Sequence, residues 1–184
     1  MTKGRGGTWF QRWRVPLGFL IAPIFILLAK PQPSTLAAGG AIGLVGLFLR
    51  AWASGHLRKN DALATTGPYA YTRNPLYLGS FLIGAGFTFA SGRWELALLF
   101  AVLFLGIYVP VMRVESMTLE HLFAHKYRRY AQAVPMFLPR LTRYHGGAKA
   151  DFDVALYKRY REYQAALGFV AAFAILVAKA IWFK

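Results

Sequence analysis

Leu76–Met112 reads LYLGSFLIGAGFTFASGRWELALLFAVLFLGIYVPVM. Two apolar runs flank the turn Ser91-Gly92-Arg93, and Arg93 and Glu95 are the only charged side chains in the stretch. A helix needs about 20 apolar residues to cross a bilayer, so the pattern reads as a membrane hairpin of Leu76–Ser91 and Trp94–Met112. Working outward, Val15–Ala29 and Ser34–Ala53 form a second hairpin about Pro31-Gln32-Pro33, and Ala165–Phe183 is a further span. The expectation is an all-α, polytopic integral membrane protein of about five transmembrane helices with its functional site on the cytosolic side. Its parts are an N-terminal hairpin (1–53), a core (54–140), and an interfacial helix with a C-terminal span (141–184). Pro16 and Pro23 kink the first span. The basic start and apolar centre of that span also have the shape of a signal peptide, but the apolar run that follows at once favours a retained hairpin.

Composition agrees with a bilayer as solvent. The chain of 184 residues is 57% hydrophobic and 16% aromatic with a net charge of +15, against about 45–50% apolar in a soluble domain. Its cations alternate with apolar runs instead of gathering on one face, which argues against nucleic acid. Without cysteine there is no disulfide, zinc-thiolate or thiol chemistry. His121 and His125 are spaced i,i+4 but lack the intervening Glu of a zinc-protease helix, so no metal site is expected. Of the 22 Lys and Arg, all but Lys30, Arg93, Lys179 and Lys184 fall on one side of the five-span arrangement. By the positive-inside rule that side is cytoplasmic, with the N-terminus inside and the C-terminus outside, as in a bacterial inner membrane. Lys179 can reach the far interface beside Trp182.

Function is sought in the inner polar segments, Ser54–Asn74 and Arg113–Gln164. Asn74-Pro75 reads as a helix start, with Asn as cap and Pro in the first turn, and such a terminus attracts carboxylate or phosphate. Gly67-Pro68-Tyr69 and Tyr71-Thr72-Arg73 place a turn and interfacial tyrosines before it. Met112, Glu115, Leu119, Leu122, Phe123, Tyr127, Tyr130 and Val134 recur at helical spacing. Glu115 falls on that apolar face and needs a partner, either a ligand's ammonium or hydroxyl or a structural arginine, Arg113 or Arg73. Glu120, His121, Arg128 and Arg129 fall on the opposite face. Asp151–Gln164, with Tyr157, Tyr160 and Tyr163 among cations, reads as an amphipathic interfacial helix.

Two spaced blocks carry a family resemblance. Gly67-Pro68-Tyr69-x-Tyr71-x-Arg73-Asn74-Pro75-x-Tyr77-x-Gly79 is followed by Glu115-x-x-x-Leu119-x-x-x-Phe123-x-x-x-Tyr127-x-x-Tyr130-x-x-x-Val134-x-x-x-x-Pro139. Together they resemble the isoprenylcysteine carboxyl methyltransferases, whose nearest relatives are the phospholipid methyltransferases, over roughly Ser54 to Pro139. The resemblance implies an S-adenosyl-L-methionine-dependent methyltransferase acting on a lipidic acceptor that enters from the bilayer. It implies a cofactor wall of Leu63, Ala64, Tyr69, Asn74, Pro75, Leu76 and Tyr77 facing Glu115, with Arg73 and Arg113 as further catalytic candidates. The chain departs from the family pattern in three places. Asn74 stands for the usual His, Glu115-Ser116 for a Glu-Glu pair, and Phe123-Ala124 for Phe-Gly. The acceptor-binding arginine of eukaryotic members has no counterpart at Val111, which leaves Arg113 as a displaced candidate. A prenylated carboxylate is the favoured acceptor and a phospholipid amine the alternative. An NADPH-dependent membrane reductase and a non-enzymatic membrane protein are the competing readings, the former without a separate dinucleotide fingerprint.

Overall fold

A computed structural model describes residues 23–58, 61–147 and 150–182. All regular structure among them is helical. Helix α1 is Pro33–Ser54, α2 is Pro75–Ala90, α3 is Trp94–Ala133, α4 is Val154–Arg159 and α5 is Tyr163–Trp182. A 3-10 turn at Gly67–Ala70 interrupts the connector between α1 and α2. Helices α1, α3 and α5 are long and apolar enough to cross a membrane, and α2, with 16 residues, is a shorter apolar helix. The chain is therefore a multi-pass membrane protein. Most of the first expected span, and with it the signal-peptide alternative, lies outside the described residues; its end is helical over 23–28.

The two outer turns pack together. Lys30 N–H donates to the Ser91 carbonyl at 2.7 Å, and Gly92 takes φ +66 so that the chain can reverse there. Lys179, near the end of α5, donates to the carbonyls of Ile26 and Leu27 at 2.6 and 2.7 Å. It thereby satisfies acceptors that the end of the preceding helix leaves open.

Helices α1 and α2 touch backbone to backbone. A Cβ added at Gly46 would stand 2.6 Å from the Gly79 carbonyl oxygen and 2.8 Å from the Ile83 nitrogen. Small residues that let helices approach this closely are the usual means of association in lipid, where apolar burial drives little. Helix α3 meets α2 differently, through rings: Phe81 lies 5.6 Å from Phe100 and 5.1 Å from Phe104, and Tyr77 lies 5.3 Å from Tyr108.

Helix α3 covers 40 residues, about twice what a bilayer requires. It is made of two helical stretches that meet at a kink at Ala124, where φ is 44° and ψ is −119°. The expected interfacial helix over Asp151–Gln164 is not continuous. Asp153 caps α4 by accepting from Ala155 N–H at 2.7 Å, but the helix stops after six residues and Arg161 takes φ +53. This turn has a physical reason: it aims Glu162 back toward α1, where Arg50 binds it.

Candidate functional site

The inner end of the bundle is organised by backbone pairing between two irregular segments. Arg73 N–H donates to the Pro135 carbonyl and Arg140 N–H to the Tyr71 carbonyl, both at 2.9 Å, and Tyr144 N–H donates to the Ala70 carbonyl at 3.0 Å. Thr72 Oγ1 donates to the Phe137 carbonyl at 2.9 Å. Tyr130, from the C-terminal part of α3, donates its hydroxyl to the Tyr69 carbonyl at 2.7 Å. Polar backbone that leaves helical structure is thus satisfied inside the protein, as burial demands.

These contacts frame a cavity of about 480 Å³ between the connector, the first turn of α2 and α3. Leu63, Ala64, Tyr69, Arg73, Asn74, Pro75, Leu76, Tyr77 and Glu115 all line it. Every expected cofactor-wall residue is therefore at one place. Arg113 is not: it is exposed and off the cavity, because two residues along a helix turn a side chain about 200° from Glu115.

Glu115 accepts a 2.7 Å hydrogen bond from the Tyr77 hydroxyl, and no described cation forms an ion pair with it. The arginine partner considered from sequence is thus replaced by a phenol. Arg73 donates through Nη1 to the Tyr127 hydroxyl at 3.0 Å and lies over that ring, while its Nε is buried with no partner. An orphaned buried donor on a guanidinium costs on the order of 1–3 kcal/mol or more, so Arg73 is placed to gain from an anionic ligand.

Asn74 occupies the N-cap position of α2 but makes no capping bond with its side chain. Its Nδ2 donates instead to the Met136 carbonyl at 2.8 Å. The expected cap is overridden because the 135–140 segment presents a buried acceptor to the same side chain. The first-turn amides of α2, beside the cavity, consequently receive no side-chain cap, and Pro75 contributes none to satisfy.

Several lining residues were not singled out from sequence. Arg50 is the clearest: Nε and Nη2 clasp Glu162 at 3.0 and 2.9 Å, while Nη1 donates to Ser80 Oγ at 2.6 Å and the Leu76 carbonyl at 3.3 Å. An arginine inside an apolar run is itself a signal for a functional contact. Arg58 and Thr118 are others, and Ser116, Tyr127 and Tyr130, already named from sequence, line the cavity with them. Burial foremost raises the Tyr69 phenol above its usual pKa, assisted by nearby Tyr130 and Glu115, so Tyr69 remains a donor and not a base. Beside the connector, His56 Nδ1 lies 3.0 Å from Thr66 Oγ1. Desolvation lowers its pKa, with Asp151 opposing and Arg143 reinforcing the shift. Among the described residues no group of three or more His, Asp and Glu could hold a metal ion. An open groove on α5, lined by Phe169, Phe173, Val177 and Ile181 among others, offers no ionisable group.

The two spaced blocks thus wall one cavity at the end of the apolar helices. Residues 41–126 match the phospholipid methyltransferase family. The matched region contains Arg50, the connector, α2 and Glu115; Tyr127, Tyr130 and Glu162 lie beyond it. The chain is 29% identical over 158 residues to the cobalt-zinc-cadmium resistance protein CzcN of Cupriavidus metallidurans, covering 80% of this chain and 71% of that protein. It is 28% identical over 137 residues to the nickel-cobalt-cadmium resistance protein NccN of Alcaligenes xylosoxydans xylosoxydans, covering 71% and 64%. Over 81 residues it is 31% identical to the protein-S-isoprenylcysteine O-methyltransferase of Schizosaccharomyces pombe, covering 44% of this chain and 34% of that enzyme. No solved structure matches. The methyltransferase resemblance read from the two blocks agrees with the family match and with the Schizosaccharomyces pombe relative.

Proposed function

We propose that this chain is a methyltransferase that uses S-adenosyl-L-methionine and methylates an acceptor carried on a lipid or prenyl chain, a carboxylate in preference to an amine. The observation that carries the reading is the convergence of Arg73, Asn74, Tyr77 and Glu115 on one cavity at the inner end of the membrane helices. Its volume suits a ligand of this size, since small-molecule sites run about 300–1,000 Å³.

When bound, S-adenosylmethionine supplies a methyl group activated on a sulfonium. The uncapped first turn of α2, with Arg73 beside it, is suited to hold a carboxylate. Glu115 keeps Oε2 for an ammonium or ribose hydroxyl while Tyr77 fixes Oε1. Leu63, Ala64, Tyr69, Pro75 and Leu76 exclude water, which strengthens these polar contacts and removes hydration from an anionic acceptor. Orientation of the acceptor supplies much of the remaining rate.

The electrostatics favour a carboxylate acceptor. Arg58 and Arg73 line the cavity against one carboxylate, Glu115, while the charge of Arg50 is neutralised by Glu162, and such a surface disfavours a cationic amine. A phospholipid amine is the second reading, favoured by the family matched; Glu115 is then the group available to receive its proton. The charge asymmetry of the loops supports a cavity on the cytoplasmic side, as in a bacterial inner membrane.

Calorimetry with detergent-solubilised protein and S-adenosylmethionine tests the cofactor assignment. Wild type should bind, and Glu115→Gln should weaken binding at least about tenfold, roughly 1.4 kcal/mol, as a charge-assisted bond becomes neutral. Equal affinities in folded samples would make Glu115 structural. Methyl incorporation into an acceptor series of increasing chain length then tests lipid access, and a flat response would sink it.

A further inference from the structure

We propose that Glu162 is a positioning residue for the cavity, acting through Arg50 on the first turn of α2. Glu162 does not line the cavity, and its side chain is only 10% exposed. Its two oxygens hold Arg50 Nε and Nη2, a bidentate geometry that fixes the plane of the guanidinium. With that plane fixed, Nη1 points to the Leu76 carbonyl and to Ser80 Oγ, which itself donates to the same carbonyl at 3.0 Å. The Leu76 carbonyl therefore receives two side-chain donors at the turn whose residues wall the cavity. Tyr77, the next residue, holds Glu115.

The pair also keeps the cavity's charges apart. Arg50 has Nε, Nη1 and Nη2 all engaged, so it serves as a brace and not as a ligand. Without Glu162 the partly buried guanidinium is left unneutralised beside the cavity, a costly state, and Glu115 is the carboxylate within the cavity wall that can answer it. Loss of Glu162 thus both loosens the α2 turn and draws Glu115 from its place. The positioning carboxylate comes from a part of the chain outside the family match at residues 41–126, delivered by the left-handed turn at Arg161.

The effect on cofactor affinity rests on the function proposed above; the effect on α2 does not. Amide hydrogen exchange on the full-length protein in detergent, without cofactor, should quicken at least about tenfold in the first turns of α2 in Glu162→Gln. Arg50→Lys should do the same, because an ammonium retains the charge but cannot bridge all three partners. Arg93→Gln, which breaks an exposed pair with Glu95, should leave α2 unchanged. Ser80→Ala covers the case in which the charge variants fail to fold: it keeps the ion pair and should still quicken exchange in that turn. Exchange that rises only at the start of α5, or an α2 turn untouched by Ser80→Ala, would overturn the proposal. By calorimetry, S-adenosylmethionine affinity should fall about tenfold in Glu162→Gln, and the exchanged pair Arg50→Glu with Glu162→Arg should regain thermal stability but not affinity. Full recovery of both by the exchanged pair would reduce the contact to a staple. A wild type that does not bind S-adenosylmethionine would fail the functional reading alone, and the exchange measurements would still decide the role of Glu162.

Discussion

At Ala124 the backbone adopts φ 44° and ψ −119°, a region that only glycine occupies without strain. The side chain is exposed, so no packing contact explains an alanine. The family pattern has glycine after the phenylalanine, and the bend shows why: the C-terminal part of α3 must turn here to bring Tyr127 and Tyr130 under the connector. Strain of this kind costs about 1–3 kcal/mol, while glycine adds roughly 0.5–1 kcal/mol of chain entropy to be lost on folding. Ala124→Gly should therefore stabilise by about 1 kcal/mol and raise the thermal midpoint in detergent by a few degrees. A lowered midpoint would mean that the bend is not strained. Residue-scale surprises of this sort divide by cause. The family pattern already marked position 124, but nothing near Arg161 announces its left-handed turn, since neither Gly nor Pro is adjacent. Asn74 was legible as a helix start and illegible as an uncapped one, because the competing acceptor, Met136, is 62 positions away.

Among the elements, the α1–α2 contact is the one most sensitive to volume. Gly46→Ala places a methyl against the backbone of α2, and because a backbone cannot give way as a side chain can, the helices must separate. The expected loss is about 1–3 kcal/mol, as for other overpacked cores. Gly168→Ala in α5 is the matched control, since nothing lies within 4 Å of its added Cβ; it should be neutral or slightly stabilising. Comparable midpoints for the two variants would show that the close approach is not a source of stability. The helices themselves were readable because the bilayer imposes length and hydropathy on each. Their mutual placement was not: the glycines of α1 looked like part of an apolar run, and the Arg50–Glu162 pair spans 112 positions, beyond any local pattern.

For the whole molecule, the charge asymmetry that assigns sides is independent of the cavity, and it makes its own prediction. A reporter fused after Lys184 should read as external and one inserted at residues 142–149 as cytoplasmic. The same side for both would break the five-span order and with it the cytoplasmic assignment of the cavity. The contrast between the two helix contacts has a further consequence for how such a molecule works. Helices α1 and α2 are locked by main chain against main chain, so they travel as one body, whereas α3 leans on α2 through rings that can swing about their own bonds. On the function proposed above, a fatty or prenyl chain seeking the cavity from the side would meet one wall that cannot yield and one that can, which puts its doorway on the α3 side.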